Sequence, residues 1–179
     1  MDDHTSSAPA FQQGLTLVEC LLAIAILGIL VAIGPGSFSS MLATSRLSST
    51  QTEIRSLLAS ARSEALTRNQ RVTVCRTLDG VQCAGNSRAG QQQWQGALLF
   101  VDLDQDRIVG AGETVFYVAN FHSAVNILWN RGDSLIYQPD GTALGGSNGT
   151  FALQTAGTAI EHRVVVSLLG RVRTEVINP

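Results

Sequence analysis

Lysine is absent from this chain of 179 residues, so all 12 of its cationic groups are arginines, set against 14 acidic residues. A chain this close to neutral carries no global basic field. Binding to nucleic acid would therefore need a local patch. Histidine is scarce, with only His4, His122 and His162, and no nucleophile motif surrounds a Ser or Cys. No residue set suggests a reaction class, and the chain reads as a non-enzyme without a cofactor. The three cysteines do not make a metal site, because Cys75 and Cys83 have no second pair and no nearby His. There is no internal repeat and no low-complexity tract. About 145 residues follow the single long apolar run, enough for one ordinary domain.

That run, Leu15 to Ile33, reads LTLVECLLAIAILGILVAI and holds one charge, Glu19. Roughly 20 apolar residues at a 1.5 Å rise span a bilayer core as a helix. A carboxylate inside such a segment costs about 2.5–3.5 kcal/mol on insertion scales, so it reads as functional. A secretory signal peptide would have a basic start and a cleavage site after the apolar core. A plain single-pass anchor would leave Glu19 unexplained. Residues 1–14 hold Asp2 and Asp3 and no Lys or Arg, so charge gives no orientation. Without them, 12 acids face 12 arginines.

The junction QQG/LTLVE, with Gly14 before the break, Thr16 second after it and Glu19 fifth, resembles the prepilin-peptidase signal of type IV pilins and type II secretion pseudopilins. The resemblance implies that residues 1–14 are a leader removed between Gly14 and Leu15, and that the new amino terminus is methylated. It also implies that Glu19 pairs with a neighbouring subunit's terminal amine during assembly. The expected partners are prepilin peptidase, other major and minor pilins, and the inner membrane before assembly.

Beyond the run, Gly34-Pro35-Gly36 should kink or loosen the helix. Residues 15–35 then form the membrane or filament-core half and residues 36–70 an amphipathic half. Leu47, Ile54, Leu58, Ala61 and Ala65 make one stripe at helical spacing, with Arg46, Glu53, Arg55, Arg62 and Glu64 on other faces. Asn69 and Gln70 mark the end. From residue 71 to 179 the pattern changes to eight short β-branched and aromatic runs: VTVC, ALLFV, TVFYVA, VNILW, SLIY, TFALQ, RVVVSL and VRTEVI. Turn chemistry such as Pro139-Asp140-Gly141 and Asn148-Gly149 separates them, and no helical pattern intervenes, which predicts antiparallel sheets.

The order SEALTRNQRVTVC, WQGALLFVDLDQDRIVGAGETVFY, YQPDGTA, GTFALQ and RVVVSLLGRVR is similar to that of the FimT/GspH group of minor pilins and pseudopilins. It implies an α+β pilin-like fold, a long N-terminal helix packed on antiparallel β-sheets. In FimT-type minor pilins a Gly-Arg-any-Arg element near the carboxyl end is associated with DNA binding in natural transformation. Here Gly170-Arg171-Val172-Arg173 matches it. Gly170 can turn the chain with positive φ. On a strand, Arg171 and Arg173 would project from one face about 6.8 Å apart. Two guanidinium forks so placed can hold successive phosphates, independently of sequence. Arg163 on the preceding strand would extend the patch, while Glu161 and Glu175 would weaken it. His162 reads as a surface polar residue. The plainer reading is a hairpin turn with two solvated edge arginines, as in a GspH-like pseudopilin or an assembly-priming minor pilin without DNA.

Two further features stand apart. Cys75 and Cys83 bracket a turn at Asp79-Gly80 and could close a small disulfide loop in an oxidising compartment, or stay as free thiols. Asp102, Asp104, Asp106 and Glu113 fall at positions 1, 3, 5 and 12, the oxygen spacing of a calcium loop. Position 6 is Arg107, where the tight turn calls for Gly, and an acidic turn between strands is the alternative. Arg131-Gly132-Asp133 fits an adhesion tripeptide or simply a loop. Trp94 and Trp129 suit a core better than a stacking platform. The expected location is the inner membrane in a single pass, then the periplasmic or cell-surface pilus.

Overall fold

The structure is a computed structural model that describes residues 16–178, with the side chains of 30–37 outside that description. The leader, with Gly14 and Leu15, lies outside the described residues. Helix α1 covers Leu17–Arg68 and runs through Gly34-Pro35-Gly36 without interruption. Thr16 caps its start, with the Thr16 hydroxyl accepting the Glu19 N–H at 3.3 Å, the geometry of an N-cap residue and the third helical position. Asn69 ends it in the left-handed region, at φ 53°, and the Gln70 N–H reaches back to the Ala65 carbonyl at 3.3 Å. That six-to-one bond is a Schellman closure. The chain divides between Phe38 and Ser39 into two compact units.

In the first unit the side chains of Leu17, Val18, Leu21, Leu22, Ile24, Ile26, Leu27 and Ile29 are exposed. Among the described residues, no helix is long and apolar enough to cross a membrane.

In the second unit, nine strands follow the helix among the described residues. They are β1 Val72–Thr77, β2 Gln92–Gln93, β3 Gly96–Val101, β4 Val115–Asn120, β5 Val125–Trp129, β6 Ser134–Tyr137, β7 Gly149–Thr155, β8 Glu161–Val166 and β9 Val172–Ile177. They form two antiparallel sheets, β4-β3-β1-β6 and β2-β5-β7-β8-β9. The architecture is thus the expected one, with a single addition. Strand β2 is two glutamines, a pair with no β signal of its own, that align with Trp129 and Leu128.

The apolar stripe on α1 explains the packing. Leu47, Ile54, Leu58, Ala61 and Ala65 are all buried, and they join one core with Val72, Val74, Leu99, Leu135, Ile127, Leu153 and Val164. Each fully buried Leu or Ile contributes about 1.5–3 kcal/mol. Trp94 and Trp129 are in this core, around Phe151: Trp94 meets it edge-on at 5.2 Å and Trp129 stacks on it at 4.2 Å. Strand alternation in β8 sends His162, Val164 and Val166 inward and Glu161, Arg163 and Val165 to the other face. Neither tryptophan is available to a nucleotide base.

A second, smaller apolar cluster of Cys75, Leu98 and Phe100 lies on the other face of β1 and β3. Cys75 and Cys83 form a disulfide beside it. The Arg131-Gly132-Asp133 tripeptide is not displayed. The Asp133 side chain is 5 % exposed and pairs with Arg76 Nε at 2.7 Å, while its second oxygen accepts the Ser87 N–H at 2.9 Å.

Candidate nucleic-acid interface and acidic loop

Strand β9 is the edge of the five-stranded sheet, and the turn that feeds it is built around Gly170. The Gly170 N–H donates to the Ser167 carbonyl at 2.9 Å, the Ser167 N–H to the Arg171 carbonyl at 2.9 Å, and the Arg171 N–H to the Ser167 hydroxyl at 3.1 Å. Gly170 has φ 72°, and a Cβ there would lie 2.0 Å from the Gly141 carbonyl oxygen. Glycine is therefore required twice, by the left-handed backbone and by the close approach of a second turn. A bond from the Ala143 N–H to the Leu168 carbonyl, at 3.0 Å, fastens the two turns together.

From this turn Arg171 and Arg173 emerge exposed. They line one shallow groove of about 290 Å³ with Val165, Ser167 and Val172. Arg163 is not part of it. Register places Arg163 opposite Glu175 and Val165 opposite Arg173. The Arg163 guanidinium is held by Glu161, whose other oxygen takes the Gln154 amide at 2.5 Å. The hydrogen bond from Arg163 lowers the Glu161 pKa; burial opposes it, and the Gln154 bond adds a lesser lowering. Arg173, with its side chain 70 % exposed, pairs with Glu175 at 2.9 Å. Exposed pairs of this kind hold little energy, so Arg173 can exchange Glu175 for another anion.

Two arginines not singled out from the sequence flank the same edge. Arg55 and Arg62 of α1 line a groove of about 390 Å³ with Gly170 and Val172. Their seven-residue spacing, two helical turns, was the signal that places them on one face. The Arg62 Nε is buried without a hydrogen-bond partner, as is the Tyr137 hydroxyl. Burial raises the Tyr137 pKa well above the usual phenol range, and the Arg62 charge opposes that shift.

His162 is buried, against the expectation of a surface residue, because β8 alternation turns it toward α1. Its Nδ1 lies 3.1 Å from the Gln51 amide oxygen, and burial lowers its pKa. The Gln51 amide nitrogen donates to the carbonyls of Arg163 at 3.0 Å and Glu175 at 3.3 Å, which ties the helix to β8 and β9. Glu19, at the start of α1, is exposed.

The acidic loop is the β3–β4 connection. It brings together Asp102, Asp104 and Asp106, with one oxygen of each within 4.8 Å of the others. Glu113 stands apart from that cluster and braces the loop, its two oxygens accepting the N–H groups of Leu103 at 2.6 Å and Gly110 at 2.9 Å. Arg107 takes the left-handed turn at φ 73° that glycine would usually supply.

Comparison with known proteins follows from this geometry. The family described as type II transport protein GspH matches residues 50–170, and the prokaryotic N-terminal methylation motif matches residues 10–34. No curated protein sequence matches the chain. Among solved structures, the crystal structure of the type IV minor pilin FimU of Pseudomonas aeruginosa in space group P21 is similar, with TM-score 0.57 and 19 % identity over 74 % of this chain and 90 % of that one. A second crystal form of FimU, in space group P65, gives TM-score 0.55 and 18 % identity over 72 % of this chain and 92 % of that one. At such identity the likeness is one of fold.

Proposed function

This chain belongs to the GspH family of type IV minor pilins and type II secretion pseudopilins, and on that premise we propose that it is a minor pilin that holds extracellular double-stranded DNA for uptake in natural transformation. The observation that carries the reading is the exposed edge hairpin, where Arg171 and Arg173 line one groove beneath the Gly170 turn. Their charge is available to successive phosphates, and Arg55 and Arg62 add positive charge on the other side of Val172. Contacts of this type carry no base information. Before assembly, the apolar run anchors the chain in the inner membrane in a single pass. Prepilin peptidase cuts between Gly14 and Leu15, and Glu19 then pairs with a neighbouring pilin. The methylation-motif match at residues 10–34 supports this sequence of events.

A second reading, a pseudopilin or assembly-priming minor pilin without DNA, is favoured by Glu161 and Glu175, which engage Arg163 and Arg173. Titration of fluorescent duplex DNA with the full chain in uncharged detergent, at several salt concentrations, separates the two. DNA uptake predicts affinity that falls with salt. It also predicts that Arg171→Gln with Arg173→Gln reduces the log–log salt slope by about 1.8, the contribution of two phosphates. Absence of binding at low salt, or equal binding by the double variant, assigns the second reading.

A further inference from the structure

Asp102 is 3 % exposed, and only one of its carboxylate oxygens has a partner in the protein. Oδ2 accepts the Thr73 hydroxyl at 2.7 Å, and Oδ1 is buried with none. A carboxylate is an acceptor-only group, and burying one of its oxygens unsatisfied carries a desolvation cost with no return. The same side chain stands within a cluster whose other members, Asp104 and Asp106, are exposed carboxylates a few ångströms away. Like charges at that separation repel.

Asp104 Oδ1 accepts the Asp106 N–H at 3.2 Å and Asp106 Oδ1 the Ile108 N–H at 2.7 Å, but Asp102 Oδ1 receives no such bond. Among the described residues none of the three aspartates makes an ion pair with an arginine. Arg71 donates instead to the Gln105 side chain, and Arg107 senses the Asp102 charge without pairing with it. Glu113, at the twelfth position of the ligand spacing, is occupied by backbone N–H groups.

We infer that the β3–β4 loop binds one calcium ion, with Asp102, Asp104 and Asp106 as its protein ligands and the bare Asp102 Oδ1 as the innermost. Three carboxylates supply three to six oxygens, and water completes the six to eight that calcium takes. Magnesium fits less well, since it demands a near-ideal octahedron and gives up water reluctantly, whereas aspartates on an irregular loop offer a flexible shell. Ion binding would fix the loop against the neighbouring disulfide segment, to which the Asn86 amide already ties it through the Asp106 carbonyl at 3.1 Å. The assignment is independent of DNA binding, because the loop and the β9 edge belong to different sheets.

Equilibrium dialysis of the chelator-treated full chain in uncharged detergent against radioactive calcium, with thermal unfolding followed by circular dichroism, tests it. The expected result is one calcium per chain, with a dissociation constant in the range of about 10⁻⁴–10⁻³ M typical of extracellular modules, and an unfolding temperature that rises with calcium concentration. Asp104→Asn with Asp106→Asn should weaken binding at least tenfold while leaving the far-ultraviolet spectrum intact. If that pair does not fold, Asp104→Asn alone, at an exposed position, takes its place. No stoichiometric calcium at 10 mM, undiminished binding by the variant, or displacement of calcium by equimolar magnesium would each overturn the inference.

Discussion

Replacing Gly170 by alanine isolates the turn from the arginines it presents. Gly170 sits at φ 72°. An L-residue there costs about 1–2 kcal/mol in backbone strain. The larger difficulty is spatial, since the new methyl group would stand 2.0 Å from the Gly141 carbonyl oxygen. Gly141 cannot simply retreat, because it is itself left-handed at φ 75° and lies against Arg62 and Leu66. The two turns must separate, which weakens the Ala143 to Leu168 bond by about 1 kcal/mol. Together these give a loss of roughly 3 kcal/mol and, for a chain of this size, a fall in Tm of about 6–12 °C. Thermal and urea unfolding of the full chain measure it. Asparagine tolerates left-handed backbone, so if φ were the whole cost Gly170→Asn would recover most of the stability. The close approach predicts that it does not. A Tm within 1 °C of wild type for Gly170→Ala would refute the reasoning.

Two other perturbations follow from buried polar groups. Asp133→Asn removes the partner of Arg76, whose side chain is 16 % exposed, and should destabilise by about 3 kcal/mol, with urea denaturation as the assay; a change under 0.5 kcal/mol would mean that the Arg76 charge finds water. His162 has a folded-state pKa below its ordinary 6.5 because of burial, so the unfolded chain binds the proton more readily. Stability from this group is full above about pH 6.5 and declines as pH falls through that value toward the lower folded pKa. His162→Gln should flatten that part of the stability-versus-pH curve, and an unchanged curve would show that another group controls it.

Much of the architecture could be read along the chain, since it depends on local period. The α1 stripe at Leu47, Ile54, Leu58, Ala61 and Ala65 is the face that becomes buried, and each of the eight β-rich runs coincides with a strand. Strand β2 escaped because Gln92 and Gln93 have no pattern and gain strand geometry only by pairing with β5. His162 was misplaced because its neighbours Glu161 and Arg163 are polar. Its direction is set by alternation with Val164 and Val166, and those face α1 only once the sheet has formed. The candidate site divides similarly. Gly170, Arg171 and Arg173 are visible as a motif, but Arg55 and Arg62 are more than a hundred residues away, and only folding brings them to Gly170 and Val172.

The sequence by itself determined the family, through the Gly14–Glu19 junction and the ordered motifs after it, and the fold class, through periods that specify helix and strand before any long-range contact forms. It also placed three aspartates at ligand spacing. Tertiary structure decided which charges remain available. Sheet formation put Arg173 on an exposed edge strand, where it keeps only an exposed pair with Glu175, and brought Gln154 against the Glu161 that holds Arg163, while the core enclosed Asp102 so that one oxygen faces no partner. Those outcomes depend on burial and on neighbours remote in the chain, which are properties of the packed fold and not of any local run of residues.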